Sequence, residues 1–185
     1  MVRSGTRRGG RAALIALGAV ATLLLGTTVA LAAAGYGSDL AQIRAATARF
    51  HDLEDALAAG YGPLHVCTDH EGGLGAMGQH YVYVPAVLDT TFDLSQPEVL
   101  VYEPMPNGHS RLVAVEFVVF AEPWDAISDS PPQLFGRDLA LVPAPNRYGV
   151  PSFYEIHVWL WRNNPSGTFS DWNPKVSCHG MGDAA

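Results

Sequence analysis

Arg111-Leu-Val-Ala-Val-Glu-Phe-Val-Val-Phe120 is the stretch on which the reading of the fold turns. Its β-branched and aromatic content marks a strand. Asn107-Gly108 just ahead of it is a hairpin signal, and Glu98 to Glu103 supplies the partner strand. Alternate residues of a strand share a face. Glu116 is therefore expected beside Leu112, Ala114, Val118 and Phe120, a carboxylate in the middle of an apolar face. Burying it unpaired costs roughly several kcal/mol, so it needs a cation, a proton or a strong donor.

Two more strands flank this pair in sequence. Tyr81-Val82-Tyr83-Val84 is β-rich and stops at Pro85, and Phe153 to Trp161 is dense in aromatic and β-branched residues. Between strands, residues 62–78 are Gly-rich and read as irregular. Residues 121–152 hold six prolines and read as a long loop with a short turn near Leu134–Phe135. Loops of that length are often functional and can lid a site. From Arg162 onward the chain reads as turns, broken by Asn164-Pro165 and Asn173-Pro174.

Ahead of the strands, residues 38–59 read as one amphipathic helix. Ser38 can cap its start, and Leu40, Ile43, Phe50, Leu53 and Leu57 recur on one face. Gly60 supplies a left-handed stop, with Tyr61 able to pack back on the last turn. The expected fold class is α+β: one N-terminal amphipathic helix packed on a curved, mostly antiparallel sheet or small barrel.

Strand parity also gathers candidate ligands. His80 shares a face with Val82 and Val84, and Glu155, His157, Trp159 and Trp161 share a face on the last strand. In a curved sheet His80, Glu116 and His157 can converge. Two imidazoles and a carboxylate suit a divalent transition metal, zinc or copper, with open positions for water or substrate. Met77 would add a soft ligand favouring copper. The ordinary alternative pairs Glu116 with Arg111, Arg162 or a buried Tyr, makes His157 a hydrogen-bonded core histidine and has His80 cap the glycine loop. Weaker candidates are His65, His70 and His179 near the cysteines, and His51 with Glu54 and Asp55. Trp124 and Trp172 lie in loops and are the better aromatics for ligand contact; the other aromatics suit core packing.

Other motifs fail. Gly73-Leu-Gly75-Ala-Met-Gly78 matches a dinucleotide fingerprint literally, but a strand follows it where a helix is needed to meet the pyrophosphate. Glycines that let the chain turn sharply are the ordinary explanation. There is no H-E-x-x-H and no G-x-S-x-G. If the protein is an enzyme, a metal-assisted reaction fits better than nucleophilic catalysis, because no nucleophile–base pair stands out.

Residues 1–34 set the address. Arg3, Arg7, Arg8 and Arg11 precede an uncharged run from Ala12 to Ala34 that ends in small residues around Ala30-Leu31-Ala32. This is a signal peptide or, uncleaved, a signal anchor through 12–34. Both readings place a single exported domain, 35–185, outside the cytoplasm. The whole chain has 11 Lys+Arg and 18 Asp+Glu among its 185 residues, a formal charge of −7; without the four arginines it is −11. Nucleic acids and anionic membrane surfaces are unfavourable partners for such a domain, whereas metal ions and small molecules are compatible with it. Cys67 and Cys178 are the only cysteines, and export makes a disulfide between them the leading reading, with a thiolate metal site the alternative.

Three stretches, Gly75-Ala-Met-Gly-Gln-His-Tyr-Val82, Pro97-Glu-Val-Leu-Val-Tyr-Glu-Pro104 and His157-Val-Trp-Leu-Trp-Arg-Asn-Asn-Pro165 running on to Trp172-Asn-Pro-Lys-Val-Ser-Cys178, resemble a group of uncharacterised exported bacterial proteins. The resemblance implies one exported domain and lends no catalytic residues. The function expected from the residues is binding of a metal ion or small ligand in a pocket lined by His and Glu. The alternatives are a cell-envelope module holding an apolar or sugar ligand through aromatics, and a purely structural exported protein.

Overall fold

A computed structural model describes Met1 and residues 37–181, so the expected signal segment lies outside the described residues. Within the unit Ser38–Ala185, the core element is a six-stranded antiparallel sheet. Its strands are β1 (Gly62–Asp69), β2 (Ala76–Val82), β3 (Val99–Pro104), β4 (Ser110–Phe120), β7 (Ala140–Val142) and β8 (Phe153–Trp159), in the order β1-β2-β3-β4-β8-β7. The sheet is open and does not close into a barrel. A separate hairpin, β5 (Gln133–Leu134) with β6 (Arg137–Asp138), folds out of the proline-rich loop. Phe135 and Gly136 both have positive φ at its turn, 55° and 70°, as a tight hairpin requires.

Helix and sheet enclose the larger core. α1 (residues 38–47) passes into a 3-10 turn at Ala48–His51, and α2 (Leu53–Ala58) restarts after Asp52. The single helix expected over 38–59 is thus broken. Asp52 adopts an extended backbone and accepts the Glu54 N–H, capping a new helix out of phase with the first. Ile43, Phe50 and Ala56 are buried, whereas Leu57, assigned to the apolar face by spacing, is 41% exposed. Gly60, at φ 94°, ends α2 with the Tyr61 N–H on the Ala56 carbonyl and the Gly60 N–H on that of Leu57. Tyr61 then packs into the core with Leu100, Tyr102, Val115, Phe117 and Ile156 from one face of the sheet.

The other face carries a second cluster: Val99, Val101, Val113, Ala114, Val118, Phe153 and Trp159. It is covered by α3 (Val84–Val87), the 148–150 segment and the C-terminal tail. Val84, expected in the second strand, lies in α3, because the strand stops at Val82. Residues 62–78, expected as irregular, hold β1 and the start of β2.

The β3–β4 register slips between Val101/Tyr102, so Val101 faces Ala114 and Tyr102 faces Leu112. Val113 is the extra residue. A bulge of this kind reverses parity beyond it, and Leu112 joins the helix-side core instead of the face of Glu116. Trp161 also departs from the expected face: β8 ends at Trp159, and Trp161 packs on the helix side against His51.

The tail is fastened to the sheet at several points. Ala76 and Asn173 exchange backbone hydrogen bonds, and the Ala76 N–H also reaches the Val176 carbonyl. Gly75 makes this approach possible: a Cβ there would sit 2.0 Å from the Asn173 carbonyl oxygen. Gly75 and Gly78 of the Gly73–Gly78 run thus serve close backbone approach, whereas Gly73 supplies a positive φ of 76° in open space. Cys67 and Cys178 form a disulfide with Cα atoms 5.6 Å apart, tying the tail to β1. A disulfide suggests an oxidising, extracytoplasmic environment. Among the described residues, no helix is long and apolar enough to cross a membrane.

Candidate metal centre

His80, Glu116 and His157 come from three strands and meet on the sheet face opposite α1 and α2. Glu116 pairs directly with His157 across β4 and β8, and His80 lies two strands beyond β4 on β2. In a flat sheet three inter-strand steps would separate His80 from His157 by about 14 Å. Their ring centroids are 5.8 Å apart. Across the sheet from His80 come the shorter side chains of Val101 on β3 and Ala114 on β4.

Glu116 sits between the two rings. His80 Nε2 is 3.6 Å from one carboxylate oxygen, and His157 Nδ1 is 3.6 Å from the other. These separations exceed hydrogen-bond length. They match two ligand atoms on one ion: bonds of about 2.0–2.2 Å in a tetrahedron place neighbouring ligands about 3.3–3.6 Å apart. His80 is 2%, Glu116 3% and His157 0% exposed. None of the four ring nitrogens has a hydrogen-bond partner. Each neutral imidazole carries one N–H, and leaving it buried without an acceptor costs about 1–3 kcal/mol.

The contacts are not ion pairs. Burial lowers the His80 pKa to about 4, helped by His65 and Arg147, and lowers that of His157 to about 3. Burial also raises Glu116 well above the usual carboxylate range, and the adjacent Glu155 carboxyl adds to the rise. Glu155 is itself raised by burial. Both imidazoles are therefore neutral at neutral pH, beside two carboxyls that burial shifts toward the protonated form.

The expected alternative partners are engaged elsewhere. Arg111 pairs with Glu103, and Arg162 donates to the Lys175 carbonyl. His157 has no hydrogen bond, and His80 does not cap the glycine loop; His70 does, through the Gly72 N–H. A buried His/Glu cluster could therefore hold a metal ion: His80, Glu116 and His157 each bring a ligand atom within 4.8 Å of the others.

Met77 is buried near this centre, but its sulfur accepts the Tyr148 hydroxyl at 3.4 Å. Tyr148 lies edge-on to His80, at 5.7 Å between ring centroids, and closes that side of the cluster. Trp172 packs against His70 and Arg147, and Trp124 lies on the helix side of the sheet against Phe92. Neither tryptophan lines the cavity that reaches the cluster. His65 faces Tyr148, and His51 packs on Trp161 rather than pairing with Glu54 and Asp55. Among the described residues, His65, His70 and His179 form no ligand group.

A cavity of about 360 Å³ opens beside His80 and Glu116. Its walls are apolar, from Val82, Val87, Val99, Val118, Phe120 and Phe153. Sequence reasoning placed Glu155 on the face of His157 without giving it a role, and it missed Asp171. Glu155, His157 and Asp171 bring ligand atoms within 4.8 Å of one another. Parity carried the signal for Glu155; a turn-rich tail has no period to carry one for Asp171. No family model, no curated protein and no solved structure matches this chain.

Proposed function

We propose that the protein is exported and binds a divalent transition-metal ion, zinc or copper, through His80, Glu116 and His157. The carrying observation is the set of four buried, unpartnered imidazole nitrogens around one buried carboxylate. Imidazole and carboxylate together suit such ions. An ion bound here competes with the protonation of Glu116 that burial favours. Three protein ligands leave coordination positions open, as in catalytic rather than closed structural zinc sites. The apolar cavity beside His80 and Glu116 gives a small molecule access to that side, and its size lies at the lower end of ligand pockets, about 300–1,000 Å³.

Elemental analysis of the protein after titration with Zn²⁺ tests the reading, with His157→Ala as comparison. At least one zinc per chain is expected in the wild type, with a loss of affinity of 100-fold or more in the variant. Equal zinc content in the two proteins would remove this function.

A further inference from the structure

We propose a second metal position beside the first, formed by Glu155, Asp171 and the shared His157, so that the protein carries a two-metal centre. The inference rests on the metal-binding reading above and extends it. Three observations support it. Glu155, His157 and Asp171 present ligand atoms within 4.8 Å of one another, as the first three residues do. Glu155 is 5% exposed, yet one of its carboxylate oxygens has no hydrogen-bond partner. Glu116 pairs with His157 across β4 and β8, and His157 belongs to both groups, so the two ligand groups are contiguous.

His157 can serve both groups. Nδ1 faces Glu116, and Nε2 is also buried and unpartnered, so the ring has one nitrogen for each ion. Binding two ions through it releases the ring proton to solvent.

Charge points the same way. Glu116, Glu155 and Asp171 bring three negative charges when ionised, and the first two are buried. One divalent ion leaves a net negative charge among these groups; two reverse it and leave room for a bound hydroxide. The second position has two carboxylates and one imidazole, a harder donor set than the first, and suits manganese, iron or zinc.

Asp171 is held in place for this role. The Trp159 indole N–H donates to the carbonyl of Ser170, and Asn164 donates to the carbonyl of Trp172 at 3.0 Å. Both flanking residues are thus pinned by buried side chains, and the Asp171 carboxylate is turned toward the cluster rather than free on the surface.

Cobalt(II) counts the positions. Full-length mature protein with its disulfide intact is stripped of metal, saturated with Co²⁺, and passed over a desalting column. Cobalt per chain and the visible d–d spectrum are then measured. The expected result is two Co²⁺ per chain in the wild type. Asp171→Asn should hold one, with the absorption of the two-histidine position retained, and His80→Ala should hold one with a different spectrum. Saturation of the wild type at one Co²⁺, or two Co²⁺ retained in Asp171→Asn, overturns the second position and leaves the first standing. No bound Co²⁺ in the wild type overturns both.

Discussion

Glu116 shows how much a single residue can disclose. A lone acid between valines was visible in the sequence, because burial makes its charge state a physical problem. Its solution was not visible. The sequence offered arginines and tyrosines as partners; the fold gives it another carboxyl, from the strand paired with its own. Glu98 poses the same problem more simply. It is 1% exposed, accepts the Val118 N–H at 3.2 Å, and burial pushes its pKa up to about 8 from 4.5. The folded state keeps a proton that the unfolded chain gives up. Its contribution to stability is complete below the unfolded pKa and is lost as pH rises through about 8. Stability should therefore decline between about pH 4.5 and pH 8, by up to about 1.4 kcal/mol per unit from this group. Urea unfolding at pH 5 and pH 8 checks this: Glu98→Gln should shrink the difference, and an unchanged difference would assign the effect elsewhere.

Among the elements, regular alternation was legible and interruptions were not. Val115 to Phe120 alternates between the two cores as parity requires. Leu112-Val113-Ala114 is apolar throughout, so a bulge there leaves no mark in the sequence, and Leu112 was placed on the wrong face. The break at Asp52 was hidden because an Asp sits as comfortably on a helix face as at a cap. Removing that cap as Asp52→Ala should cost about 1 kcal/mol, read as a lower Tm in a thermal melt. Gly75 is a harsher case. Gly75→Ala sets a Cβ against the Asn173 backbone at a φ of 92°, and the left-handed conformation alone costs about 1–2 kcal/mol. The overlap adds to it, so a loss of more than about 2 kcal/mol in denaturant unfolding is expected. A loss below about 1 kcal/mol would mean that the tail can lift from β2 without penalty.

At the largest scale, the unit Ser38–Ala185 is built on a six-stranded sheet with unequal faces, one covered by α1 and α2 and the other by α3, the 148–150 segment and the tail. The crosslink was legible from the two cysteines, because only one pairing exists. What it positions was not. The bond closes a loop of 111 residues and secures the segment that carries Asp171. For a loop of about 100 residues the chain-entropy contribution is about 4–5 kcal/mol. The double variant Cys67→Ser, Cys178→Ser should lose stability of that order, measured by chemical denaturation, and wild type in reductant should match it. The proposed ligands lie far apart along the chain, from His80 to Asp171, and meet only once the sheet and tail are assembled. An emerging chain therefore offers no complete coordination sphere, and a chain kept unfolded for transport would cross empty-handed. Which ion it finally takes would then be decided by the supply where assembly finishes, not by the competition among metals where it was synthesised.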